Sequence, residues 1–258
     1  MNSLQDIARL ALPLLDLTSL NDTDTDTDIL RLCKRARTRA GHPAALCVYP
    51  HLVSTARTGL AREGLQDQVK IATVVNFPDG EQAAEEVLTQ ARSALTSGAD
   101  EIDLVFPYRA LMKGDERSGY HLVSQCRQAL SGTTLKVILE TGELKNPELI
   151  RTASEIALSA GADFLKTSTG KVEINAMPDA AIIMMEAIRD SARPVGFKAA
   201  GGIRTTSDAG LYLELAREIL GEAWLRPERF RFGASGLLDD LLSTLGLGSA
   251  PVNLGTRY

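Results

Sequence analysis

Short apolar runs of strand length recur along the chain, separated for the most part by longer segments whose apolar residues fall at helical spacing. The strand-like runs cover residues 14–17, 44–49, 70–76, 101–106, 135–140, 163–167, 195–199 and 230–234. Residues 81–97, 147–160, 178–189 and 207–220 instead repeat apolar positions three and four apart, as in amphipathic helices packed on one face. Strands that are apolar almost throughout are buried on both faces, and strands alternating with helices pair in parallel. Eight of them close a (β/α)8 TIM barrel rather than leaving an open doubly wound sheet. The last is the least regular, since Gly233 weakens a short strand.

Residues 2–12 add an amphipathic helix ahead of the first strand. The following Asn-Asp-Thr-Asp-Thr-Asp-Thr-Asp run, residues 21–28, alternates carboxylates but lacks the glycine and the terminal glutamate of a calcium loop. It reads as a solvated turn whose last residues cap a helix over 29–39. Ser97-Gly98-Ala99-Asp100 and Ser159-Ala160-Gly161-Ala162-Asp163 are nearly one phrase, each placing a glycine between a helix and the next strand. That glycine supplies the left-handed cap such a turn requires. Residues 237–245 form the closing helix.

Composition narrows the class. A chain of 258 residues fits one barrel, and no linker rich in proline, glycine or serine divides it, so residues 1–258 are expected to form a single domain. The tail 246–258, with three glycines and one proline, is expected to be mobile. A net charge of -5 counts against nucleic acid as an obligate partner. No apolar run approaches the roughly 20 residues of a membrane span, and the N-terminus lacks a basic leader. Cys33, Cys47 and Cys126 have no CxxC spacing, which suits a reducing cytoplasm. His42, His51 and His121 form no ligand pattern, so no metal is expected.

In a barrel the active site lies at the C-terminal ends of the strands. Those ends carry Asp16, Cys47, Asn76, Asp103, Glu140, Lys166, Lys198 and Gly233 with Ser235. Lys166 closes the apolar strand of Gly-Ala-Asp-Phe-Leu-Lys-Thr-Ser-Thr-Gly-Lys, residues 161–171. Burial disfavours an ammonium and exposes the free amine as a nucleophile, the requirement of Schiff-base chemistry. Lys198 ends the next strand, about 4.8 Å away by sheet geometry, and a second ammonium disfavours charging of the first. Asp103 offers the carboxylate of a proton relay. A structural ion-pair network is the competing reading of the same three residues.

Three loops at this end suit a phosphate. Thr167, Ser168, Thr169, Gly170 and Lys171 offer hydroxyls, backbone N–H groups and a cation. Gly201-Gly202 and Gly233-Ala234-Ser235-Gly236 each lead into a helix N-terminus, where barrels bind phosphate after their seventh and eighth strands.

Taken together, the chain resembles the deoxyribose-phosphate aldolases over nearly its whole length. The resemblance is carried by Leu-Asp-Leu-Thr-Ser-Leu-Asn (15–21), Asn-Phe-Pro-Asp-Gly (76–80), residues 98–111, Lys-Val-Ile-Leu-Glu-Thr-Gly-Glu-Leu (136–144), residues 161–171, 195–205 and 231–238. It implies a class I aldolase without metal or cofactor that cleaves 2-deoxy-D-ribose 5-phosphate reversibly to D-glyceraldehyde 3-phosphate and acetaldehyde, in deoxyribose phosphate breakdown. Matched by position, Lys166 resembles the Schiff-base lysine, Lys198 its activating partner and Asp103 the proton-transfer acid. Asp16, Thr18, Cys47 and Thr167 are the implied substrate contacts, and Gly170, Lys171, Gly201, Gly202, Gly233 and Ser235 the implied phosphate contacts. Partners are then the phosphosugar and its aldehydes, with a homo-oligomer, a dimer in the first instance, as the expected assembly.

The chain also departs from the pattern. Ser235 is followed by Gly236 where the family commonly has a second serine, which removes one hydroxyl from the phosphate site. Tyr258 matches a terminal tyrosine of some members, but the tail before it differs. Cys47 matches a cysteine near the substrate aldehyde in some members, and a small hydrophobe inside a strand is the plain alternative. Another Schiff-base aldolase of a phosphosugar, a pyridoxal-phosphate enzyme and a non-catalytic phosphosugar-binding barrel are the rival readings.

Overall fold

The computed structural model describes residues 3–248. Tyr258 and the expected mobile tail from Ser249 onward lie outside the described residues. Eight parallel strands close a barrel in sequence order. They are β1 (Leu15–Thr18), β2 (Ala45–Val48), β3 (Lys70–Val75), β4 (Glu101–Val105), β5 (Thr134–Ile138), β6 (Phe164–Lys166), β7 (Gly196–Ala200) and β8 (Phe230–Ala234). The barrel closes through β8, whose Gly233 lies beside Asp16 of β1.

The helices, in chain order, are α1 (Leu4–Ala11), α2 (Asp26–Ala36), α3 (Val53–Arg62), α4 (Ala84–Thr96), α5 (Tyr108–Met112), α6 (Glu116–Ala129), α7 (Thr141–Leu144), α8 (Pro147–Ser159), α9 (Pro178–Asp190), α10 (Thr206–Leu220) and α11 (Leu237–Thr244). α2 starts a turn earlier than its apolar spacing predicts. Thr25 accepts from the Asp28 N–H while the Asp28 carboxylate accepts from the Thr25 N–H, a capping box that fixes the start at Asp26. The apolar spacing does not single out α3, α5, α6 or α7. In α3 and α6 part of the reason is a mid-helix glycine, which lowers propensity but permits close packing. A Cβ on Gly59 would lie 2.5 Å from Cys33 Sγ, and one on Gly119 would lie 2.2 Å from the Phe106 ring.

The apolar core fills the layer between strands and helices. Inside the barrel the composition divides. Strands β2 and β3 contribute Cys47, Ala72 and Val74, which form a separate small apolar cluster with Leu20. The remaining strands send buried charge inward: Asp16, Glu101, Asp103, Lys136, Lys166, Lys198 and Arg231. Phe164 fills the interior below Lys166, and Gly196 beside it is obligatory because a Cβ there would meet the ring at 2.3 Å.

Candidate active site

Parallel register aligns the charges. Lys166 lies beside Lys198, Asp103 beside Lys136, and Lys198 beside Arg231. Residues in register on neighbouring parallel strands point the same way, so these side chains converge in the barrel. Lys166 Nζ and Lys198 Nζ each donate to Asp103 Oδ2, both at 2.8 Å. Lys136 Nζ donates to Asp103 Oδ1 at 2.8 Å and pairs with Glu101 Oε2 at 2.5 Å. Lys198 Nζ also donates to Asp16 Oδ2 at 2.5 Å. Arg231 completes the chain, donating to Asp16 Oδ1 at 2.5 Å and to Glu101 Oε1 at 2.9 Å.

Protonation follows from this pairing. Burial favours the neutral form of each group, but the partners win. Burial would raise the Asp103 carboxyl, yet Lys136, Lys166 and Lys198 hold it well below the ordinary aspartate range. Asp16 is likewise held low by Lys198, Arg231 and Lys136 against its burial. Burial would push the Lys198 ammonium down, yet Asp103 and Asp16 raise it well above the lysine range. Lys136 is also raised against its burial, by Asp103 and Glu101. The sequence places two ammoniums side by side; the structure sets a carboxylate between them, so Lys198 is a firmly held cation and Asp103 an anion, not an acid at rest.

Above this network opens a cavity of about 420 Å³, lined by Thr18, Lys166, Gly170, Lys171, Gly201, Gly202, Gly233 and Ser235 among others. Larger hollows exist, about 520 Å³ beside α5 and α6, about 550 Å³ at the end of α3 and about 760 Å³ at the opposite end of the barrel, but Lys166 lines none of them. Gly201 and Gly202 both have positive φ, 82° and 85°, which exposes the backbone of this loop. A Cβ on Gly233 would lie 3.1 Å from Lys198 Cε, so this glycine makes room for the lysine. Ser235 and Gly236 sit at the N-terminus of α11, whose dipole favours an anion.

Two expected contacts are placed differently. The Thr167 hydroxyl donates to Ala200 O at 3.1 Å and accepts from Ala200 N–H at 3.0 Å, tying β6 to β7 instead of facing the cavity. Asp16 lies beneath the mouth, saturated by Lys198 and Arg231. Cys47 belongs to the apolar wall, and burial raises its thiol above the ordinary range. Sequence reading missed Lys136, Glu101 and Arg231, although a lysine inside Thr-Leu-Lys-Val-Ile carries the same signal that marks Lys198. Thr169, expected among the phosphate-loop hydroxyls, instead donates its N–H and hydroxyl to Glu140 at 3.1 and 2.5 Å. Glu140 reaches them from a left-handed backbone, φ 58°, an uncommon conformation for glutamate that cannot be read from the sequence. Among the described residues, no three His, Cys, Asp or Glu side chains converge on a position that could hold a metal.

Fold and site thus define a barrel enzyme organised on a buried lysine at its C-terminal mouth. The comparisons with known proteins are specific. The chain belongs to the DeoC/LacD family of aldolases, whose model matches residues 10–238. A candidate deoxyribose-phosphate aldolase from Toxoplasma gondii ME49, in its apo form, is 27% identical over 96% of this chain and 98% of its own, with a TM-score of 0.88. One from Coccidioides immitis is 29% identical over 92% of this chain and 86% of its own, with a TM-score of 0.79. The tetrameric deoxyribose phosphate aldolase from Aeropyrum pernix is 28% identical over 94% of this chain and 92% of its own, with a TM-score of 0.73.

Proposed function

We propose that the protein cleaves 2-deoxy-D-ribose 5-phosphate reversibly to D-glyceraldehyde 3-phosphate and acetaldehyde, through a Schiff base on Lys166. One observation carries the reading. The three buried lysines of the network, Lys136, Lys166 and Lys198, are not paired equally. Lys136 pairs with three carboxylates and Lys198 with two, whereas Lys166 has one carboxylate oxygen and shares it. Lys166, the member that opens to the mouth, is the one that reacts as free amine.

The Lys166 amine adds to the C1 aldehyde of the open-chain sugar, and loss of water leaves a protonated imine. That cation occupies the place of an ammonium 2.8 Å from Asp103 Oδ2, where a preorganised carboxylate stabilises it. Removal of the C3 hydroxyl proton breaks the C2–C3 bond, and its electrons pass to the imine nitrogen as an enamine. Glyceraldehyde 3-phosphate leaves. The enamine takes a proton at C2, and water hydrolyses the resulting imine to acetaldehyde and free Lys166. Lys198 and Asp103, joined at 2.8 Å, form the donor and acceptor pair for these proton steps. Cys47, Ala72, Val74 and Leu20 supply an apolar wall for the two-carbon fragment. Gly170, Lys171, Gly201, Gly202, Gly233 and Ser235 line the phosphate end. By analogy with the Aeropyrum pernix protein, the active form is a homo-oligomer.

Borohydride reduction in the presence of acetaldehyde tests the reading. A two-carbon adduct mapped to Lys166 is expected. Labelling confined to another lysine would overturn the assignment. A yellow protein as purified would indicate a lysine–pyridoxal imine instead.

A further inference from the structure

The acidic loop after β1 reaches the rim of the mouth. Asp24 organises it: its carboxylate accepts from the Ser19 hydroxyl at 2.7 Å, from the Asn21 N–H at 3.0 Å and from Asn21 Nδ2 at 2.9 Å. Its own N–H closes the turn on Asn21 O at 3.0 Å. Asp22 is thereby presented from a fixed turn, with its side chain 83% exposed. Its Oδ1 accepts twice, from Lys171 Nζ at 2.9 Å and from the Tyr49 hydroxyl at 2.8 Å. The same ammonium stands 5.8 Å from the centre of the Tyr49 ring. Lys171 and Asn21 both line the mouth cavity. The cation that the loop after β6 offers to a phosphate is therefore paired with a carboxylate on the rim.

We propose that Asp22 is a specificity-determining residue that competes with the substrate's phosphate for Lys171. Nothing else in the proposed chemistry uses Asp22. An ion pair this exposed is weak and screened by salt. A phosphate dianion in the cavity, supported by the glycine loops and the α11 N-terminus, takes the ammonium from it. The Asp22 carboxylate thus lowers affinity for phosphorylated ligands and, by the same competition, eases their release. The Tyr49 hydroxyl, bound to the same oxygen, keeps the carboxylate beside Lys171. The inference rests on reading the mouth as a phosphosugar site.

Calorimetric titration with inorganic phosphate at fixed ionic strength tests it on the full chain, with Asp22→Asn, Lys171→Met and the double variant. Loss of the competitor should tighten phosphate binding by Asp22→Asn roughly two- to fivefold. Lys171→Met should bind more weakly than the parent, and the double variant should match Lys171→Met. Tightening that persists in the Lys171→Met background would reveal only a general field of the acidic loop and overturn the competition. Unchanged or weaker binding by Asp22→Asn overturns it as well, as does a parent that does not bind phosphate. Acetaldehyde carries no phosphate, so borohydride trapping on Lys166 reports separately on the Schiff-base reading.

Discussion

Lys136 and Asp103 are register partners on β5 and β4, and the lysine occupies Oδ1 of the carboxylate at 2.8 Å. That bond decides which oxygen faces the chemistry. With Oδ1 taken, only Oδ2 is left for Lys166 and Lys198. Replacing Lys136 by Met strips Asp103 and Glu101 of a shared cation in the buried interior of the barrel. Breaking a buried pair by removing one partner costs about 3–5 kcal/mol. Lys136→Met should lose stability on that scale in denaturant unfolding, and the surviving folded fraction should trap acetaldehyde more slowly. A loss below about 1 kcal/mol would show that the bond contributes little.

Lys198→Leu takes away the ammonium that shares Asp103 Oδ2 with Lys166. Lys166 then holds that oxygen alone, which favours its charged form over the free amine. The midpoint of the acid limb in the pH–rate profile should move to higher pH. One pH unit corresponds to about 1.4 kcal/mol of preference. A profile lowered at every pH with its midpoint unmoved would assign Lys198 to proton transfer alone.

Acid stability should follow Asp16 and Asp103. Both carboxyls lie below the ordinary range in the folded protein, through Lys198, Arg231 and Lys136 for Asp16 and through Lys136, Lys166 and Lys198 for Asp103, against the opposing effect of burial. A depressed folded value means stability that is present above the unfolded carboxyl pKa, about 3.9, and lost as pH falls through the folded value. Asp16→Asn should therefore be markedly less stable than the parent at pH 7, with the gap closing below about pH 4. A gap constant from pH 7 to pH 2 would mean that the pairing contributes no pH-dependent stability.

Gly201 has φ 82°, and a Cβ there would lie 2.6 Å from Asn175 Cβ and 2.7 Å from Asn175 Oδ1. Gly201→Ala meets both a strained backbone and a clash. It should lose more than about 1 kcal/mol and raise KM for the phosphorylated sugar. Adding Asn175→Gly removes the clash but not the strain, so the pair should recover part of the KM. Full recovery would show that φ is unimportant here; no recovery would discount the contact.

Ser235→Ala removes a hydroxyl from the cavity lining beside the N-terminus of α11. A hydrogen bond to a charged group contributes about 1.5–3 kcal/mol, so the ratio of kcat/KM for 2-deoxyribose 5-phosphate to that for 2-deoxyribose should fall about tenfold or more. An unchanged ratio would take Ser235 out of the phosphate site.

The order of the strands was legible in the chain because burial on both faces demands continuous apolar strands, and Lys166, Lys198 and Asp103 stood out as charges within them. Helices α3 and α6, with their interior glycines, were not legible, since Gly59 and Gly119 answer to Cys33 and Phe106. Nor could the chain show that Asp103 lies between the two lysines, or that Lys136, Glu101 and Arg231 join them, because register around a closed barrel sets those distances. The Asn21 to Asp28 run read as solvated and capping, which holds for Thr25 and Asp28 at α2. Its Asp22 meets Lys171 only because barrel closure brings the β1 and β6 loops to one mouth. Local pattern determines which segments are strands, helices and charged positions; closure determines which charges meet, and with that the protonation state of each.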